Sequence, residues 1–219
     1  MDRLSLVVLI SGSGSNLQAI IDAIENGQLN ARLSAVISNR PDAFGLTRAK
    51  QHNIPVISLD HTKFARRELF DQQLQREIES LRPDLIILAG YMRILTNDFI
   101  YAFSPKILNI HPSLLPKYQG LHTHQKALDN NDHFHGVSIH IVTPELDSGP
   151  VILQGKFTIE ADDNINSLQQ KAHKLEHQMY PLVIQWICEQ RLDLDQGLPV
   201  FDNKTINTPL LLEDLTDVH

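Results

Sequence analysis

Leu4-Ser5-Leu6-Val7-Val8-Leu9-Ile10 leads directly into Ser11-Gly12-Ser13-Gly14-Ser15-Asn16, and the reading of this junction decides the fold. The apolar run stops after seven residues, with no small-residue cleavage pattern behind it. That makes it a buried first strand rather than a signal peptide. No stretch of the chain approaches the ~20 apolar residues of a membrane span. After the small-residue turn, Asn16–Glu25 carries Leu17, Ile20, Ile21 and Ile24 at helical spacing. The unit is therefore strand, glycine-rich turn, helix.

The same alternation continues outward. Leu33–Ser38, Pro55–Leu59, Leu85–Ala89 and Ile107–Ile110 read as strands. Ala43–His52, Phe64–Leu81 (stopped by Pro83) and Asn97–Phe103 read as helices. Strands that are apolar throughout need cover on both faces, and the intervening helices supply it. The first half predicts a doubly wound, parallel α/β sheet with its ligand edge at the strand C-terminal ends. The second half differs. Val137–Val142 and Val151–Phe157 are joined by a loop too short for a crossover helix, so they pair antiparallel. A long helix over Ser167–Gln190 follows, with Pro181 inside it as a candidate kink. The expected whole is one mixed, mostly parallel α/β domain over residues 1–190. Residues 191–219 form a tail packed on it or trailing from it. Cys188, the lone cysteine, lies in an apolar helical stretch and reads as a buried small hydrophobe in a reducing compartment.

The formal net charge is -7, which argues against a nucleic-acid surface but not against a small anionic substrate. The glycine-rich turn suits such an anion, because small residues let the backbone come close and a helix N-terminus offers unpaired N–H groups. It does not fit a dinucleotide fingerprint. Leu17 stands where the third glycine belongs, and Ser38-Asn39-Arg40 stands where the ribose-binding acid belongs. A mononucleotide phosphate fits better.

Ile107-Leu108-Asn109-Ile110-His111-Pro112 is the chemically informative segment. Strand alternation puts Asn109 and His111 on one side. An amide donor beside an imidazole suits acyl transfer, where a tetrahedral oxyanion must be stabilised. A charged His111 needs a raised pKa, which a nearby carboxylate supplies. Asp147, before Gly149-Pro150, is the candidate.

Four segments, in order, carry a family resemblance: Gly12-Ser13-Gly14-Ser15-Asn16, Ala89-Gly90-Tyr91-Met92-Arg93-Ile94-Leu95, Asn109-Ile110-His111-Pro112-Ser113-Leu114-Leu115-Pro116 and Glu145-Leu146-Asp147-Ser148-Gly149-Pro150-Val151-Ile152. The chain resembles the glycinamide ribonucleotide formyltransferases of bacterial purine synthesis. The resemblance implies a Rossmann-like formyltransferase fold and formyl transfer from 10-formyltetrahydrofolate, as co-substrate, to the substrate amine. It implies that Asn109, His111 and Asp147 are catalytic. Gly14, Ser15 and Asn16 would hold the ribonucleotide phosphate, with Glu176 near the glycinamide. Arg67 (or its neighbour Arg66), Met92, Arg93, Ile94, Leu95 and Asn109 would meet the folate, as would the loop of Thr143, Pro144, Glu145, Leu146 and Asp147. Ser13 stands where some relatives carry asparagine, and the segment after Gln190 matches poorly.

His122 with His124, and His133 with His135, are spaced two apart, but no third ligand at a recognisable spacing follows. They are expected as surface or loop histidines, with His122 and His124 also open to a supporting role beside the catalytic loop. No metal is expected, and no nucleic-acid or membrane partner. The expected state is a cytoplasmic monomer or weak homodimer acting on small molecules. The competing functions are a formyltetrahydrofolate hydrolase, another formylfolate-dependent transferase and a non-catalytic nucleotide-binding module.

Overall fold

The computed structural model describes residues 3–194 and 197–216. The remaining positions of the expected tail, 195–196 and 217–219, lie outside the described residues. The chain divides into two compact units, one ending at Leu108 and the other beginning at Asn109.

In the first unit, β1 (Leu4–Ile10), β2 (Ala31–Ser38), β3 (Val56–Ser58) and β4 (Leu85–Leu88) alternate with α1 (Ser15–Glu25), α2 (Phe44–Gln51), α3 (Arg67–Leu81) and α4 (Asn97–Phe103). The strands run parallel in the order β4-β1-β2-β3. Leu6 to Ile10 of β1 are each fully buried, as expected of a strand flanked by two others and covered on both faces. The helices start and stop for local reasons. Thr96 Oγ1 accepts from Phe99 N–H at the start of α4, and Arg82, in the left-handed region, ends α3 just before Pro83.

The second unit starts from β5 (Ile107–His111), whose last three residues belong to it, and holds α5 (Thr123–Asp129), β6 (Phe134–Ile141), β7 (Val151–Thr158) and α6 (Ile165–Cys188). β6 and β7 are antiparallel, as the short loop between them requires. The helix α6 begins in a capping box between Asn164 and Ser167 and runs on through Pro181 to Cys188, which is half-buried rather than buried. The segment beyond it is more ordered than a polar tail. β8 (Leu192–Asp193), β9 (Val200–Phe201) and β10 (Lys204–Thr205) form a small antiparallel sheet. β11 (Leu210–Leu211) then adds parallel to β7 and leads into α7 (Leu212–Thr216). The helix α5 was not expected. It is seven residues long, and only Thr123 and Ala127 are buried, so it carries almost no apolar stripe to read.

Candidate active site

Gly14 precedes α1 with a φ of +71°, and a Cβ placed there would lie 2.7 Å from the Cα of Gly45. Gly45 N–H donates to the Gly12 carbonyl at 3.0 Å. Two glycines thus let the starts of α1 and α2 touch backbone to backbone. Among the described residues no side chain caps either helix start, which suits an anion at the first turn. Gly14 and Asn16 are buried and Ser15 half-buried.

The Ser11 hydroxyl ties this turn to the segment after β4. It donates to Asn39 Oδ1 at 2.6 Å and accepts from Met92 N–H at 2.8 Å. Asp71, buried on α3, accepts from Thr96 N–H at 2.6 Å, closing the other end of the same segment. Between these two anchors, Met92 is 73% exposed and Ile94 57%, while Leu95 is buried and the Arg93 guanidinium stacks 4.6 Å from the centre of the Phe70 ring. Large apolar side chains left in solvent need a reason, and a flat aromatic ligand is one. Arg67 opens α3 and is exposed.

The second unit holds the chemistry. Asn109 and His111 are two apart on β5, with His111 buried. The chain that follows is pinned. Ser113 Oγ donates to the Lys117 carbonyl at 2.6 Å, Ser138 Oγ donates to the Ser113 carbonyl at 2.7 Å, and Gln154 Nε2 donates to the Leu115 carbonyl at 2.8 Å. Asp147 arrives from the loop between β6 and β7 with a φ of +47°, a conformation aspartate tolerates better than most residues. A Cβ at Gly149 would lie 1.8 Å from the Ile141 carbonyl oxygen, so the loop closes only over a glycine.

These elements bring the expected trio together. The Asp147 carboxylate has one oxygen 3.4 Å from His111 Nδ1 and 2.9 Å from Gly120 N–H. Its other oxygen is 3.4 Å from Asn109 Nδ2 and 3.6 Å from His140 Nε2. His140 is the residue that sequence reasoning missed. Its Nδ1 donates to the Ile141 carbonyl at 3.0 Å, leaving Nε2 to accept from Asn109 Nδ2 at 3.2 Å. Ser138 and His140 repeat on β6 the two-residue spacing of Asn109 and His111, a signal that was available. Of the other expected residues, Thr143 and Pro144 are half-buried, Glu145 and Leu146 are exposed, and Glu176 is buried on α6.

The electrostatics correct one expectation. Burial pushes the His111 pKa down and outweighs both the Tyr118 carbonyl, which accepts from Nε2 at 2.9 Å, and the Asp147 charge. His111 therefore rests below its ordinary value instead of being held above it by Asp147. Burial also works to raise the Asp147 carboxyl. The His140 hydrogen bond, the His111 charge and the Gly120 N–H overcome it, and Asp147 stays below the usual carboxylate range.

The histidine doublets are also rearranged. His124 Nδ1 and His135 Nε2 hydrogen-bond each other at 2.9 Å, one from each doublet. His135 is buried, not on the surface, and burial followed by the neighbouring His124 lowers its pKa to about 4. Among the described residues no group of three or more His, Cys, Asp or Glu is placed to hold a metal ion.

Comparison with known proteins matches this arrangement to one family. A family model described as formyl transferase matches residues 4–184. The phosphoribosylglycinamide formyltransferase of Escherichia coli (strain K12) is 47% identical over 203 residues, which are 93% of this chain and 96% of that protein. Its counterpart in Haemophilus influenzae is 46% identical over 92% of this chain and 95% of its own length. Among solved structures, the phosphoribosylglycinamide formyltransferase from Coxiella burnetii superposes with a TM-score of 0.90 at 45% identity, over 95% of this chain and 99% of that one. The chain belongs to the formyl transferase family.

Proposed function

We propose that this protein moves a formyl group from 10-formyltetrahydrofolate to the amine of glycinamide ribonucleotide, a step of purine biosynthesis. The observation that carries the reading is the meeting of the Asn109 amide, the His111 imidazole and the Asp147 carboxylate, with Asp147 within 3.4 Å of both partners. As the amine adds to the formyl carbon, negative charge gathers on the formyl oxygen. Asn109 and His111 donate to it, and one such donor is typically worth ~3 kcal/mol in the transition state. Burial keeps His111 easy to deprotonate at rest. The new negative charge, together with Asp147, favours the protonated ring as the reaction proceeds. The proton leaving the amine is taken up by this pair and returned to the folate nitrogen as the carbon–nitrogen bond to the folate breaks. No covalent enzyme intermediate is needed.

Gly14, Ser15 and Asn16 hold the ribonucleotide phosphate in this reading, supported by the helix starts that no side chain caps. Glu176 lies near the glycinamide. Arg67, Met92, Arg93, Ile94 and Leu95 meet the folate together with Asn109 and the Thr143–Asp147 loop. The exposed apolar surfaces of Met92 and Ile94 suit a flat pterin, as do those of Leu121 and Leu146. The substrates are small molecules, and the protein works in the cytoplasm as a monomer or weak homodimer. Among the described residues no helix is long and apolar enough to cross a membrane.

The test is loss of formylfolate with and without glycinamide ribonucleotide. Turnover that requires the ribonucleotide is the expected result. Equal loss in its absence makes water the acceptor, and binding without turnover makes the protein a nucleotide-binding module.

A further inference from the structure

Three consecutive residues each give one hydrogen bond to the active centre. The Tyr118 carbonyl accepts from His111 Nε2 at 2.9 Å. Gln119 Nε2 donates to the Asp147 backbone carbonyl at 3.2 Å and to Ser148 Oγ at 2.8 Å. Gly120 N–H donates to the Asp147 carboxylate at 2.9 Å. The backbone that makes this possible is strained. Tyr118 has a φ of +56°, a region that a bulky side chain enters only when its surroundings hold it there.

What holds it lies on the side away from the chemistry. The Tyr118 hydroxyl donates to Asp132 Oδ2 at 2.7 Å and accepts from Asn130 Nδ2 at 3.0 Å. Asp132 Oδ1 accepts from Lys117 Nζ at 2.7 Å. The Asp132 side chain is 15% exposed while the Lys117 side chain is 60% exposed, so the tyrosine bond is the better shielded of the two. We infer that Asp132 and Tyr118 are positioning residues of the formyl-transfer site, a brace that fixes the strained turn at 118–120 and through it the His111 ring and the Asp147 carboxylate. The inference rests on the proposed function for its catalytic meaning, but the geometry it describes is independent of any substrate. Neither side chain touches the reacting atoms.

The brace makes a specific demand on His111. The Tyr118 carbonyl is one of two groups that favour the charged ring, the other being Asp147. Burial, His140 and Lys126 oppose them, and His124 and His135 are further ring neighbours. Releasing the turn therefore shifts the His111 titration to lower pH.

The experiment compares Tyr118→Phe, Asp132→Ala and Asp132→Asn with the unmodified protein. Readouts are steady-state turnover, both KM values and the His111 ring titration by NMR. Tyr118→Phe and Asp132→Ala should lower kcat about tenfold with KM held within about twofold, because misplaced groups cost rate more than ground-state binding. Asp132→Asn, which keeps an oxygen acceptor for the tyrosine, should recover most of that loss. In the two damaging variants the His111 titration should move to lower pH. An unmoved titration in both overturns the brace, as does a loss that falls on KM with kcat intact. A His111→Asn protein with full turnover would defeat the catalytic reading, and the ring titration in the brace variants would still decide this inference.

Discussion

Asp71 and Asp147 are both shielded carboxylates, and their pKa values move in opposite directions. Asp71 is 2% exposed, and burial raises it against the Thr96 N–H and the charges of Arg93 and Arg67. The Asp147 side chain is 9% exposed, yet four donors from four chain segments meet it, and it is lowered. The lesson is that shielding alone does not set a carboxylate's charge. The number of donors that reach both oxygens does. Asp71 Oδ1 has no hydrogen-bond partner among the described residues, whereas both Asp147 oxygens are met. The first is built to close a turn, the second to hold a negative charge.

The strongest way to break this comparison is Asp147→Asn, which keeps the shape and removes the charge. Turnover should fall on the order of 10²–10³-fold, with KM changed far less, as for loss of an electrostatic group used in the transition state. Steady-state rates with both substrates check it, and unchanged turnover would remove Asp147 from the mechanism.

A smaller effect is expected on stability in acid. The folded-state pKa of His135 is depressed to about 4, so below the unfolded imidazole value of 6.5 the unfolded chain binds the proton first. Its contribution is present above pH 6.5 and is lost as pH falls through 4, roughly 3 kcal/mol in all. Asp147 acts in the same sense at lower pH. Its stabilisation is present above the unfolded carboxyl value and lost as pH falls through its depressed one. Urea midpoints between pH 7 and pH 4 should drop steeply in the unmodified protein and less steeply in His135→Gln.

The smallest effect sharpens the contrast. The folded-state pKa of Asp71 is raised, so the folded chain holds its proton longer and this residue's contribution falls as pH rises through that value. Asp71→Asn should therefore be as stable as the unmodified protein at pH 7, or more so, within about 1 kcal/mol. Asp147→Asn should be less stable at the same pH. A thermal melt of the two variants side by side decides whether the two carboxylates differ as described.

Much of this was legible before any coordinates. Fully apolar runs such as Leu4–Ile10 and Leu85–Leu88 have one physical solution in a chain this long, a sheet covered on both faces, and that half of the fold followed from them. Asn109 and His111 were readable together because strand alternation is a local rule. Their approach to Asp147 rested on resemblance, since 36 residues of chain separate His111 from it. His140 was not read, because a histidine inside an apolar strand looks like any other polar interruption until its neighbour across the fold is known. The direction of the His111 shift was misjudged for a related reason. A sequence can suggest a charge partner, but desolvation depends on everything packed around the ring. The order of the C-terminal segment escaped because two-residue strands carry no periodicity to detect.

The meeting of Gly14 with Gly45 has one more consequence. The gap between the starts of α1 and α2 is gauged by bare main chain, with no rotamer in between that could relax. Whatever anion docks there meets a mouth of nearly constant width, so selectivity for its size is written into peptide geometry and cannot drift through gradual side-chain exchange nearby.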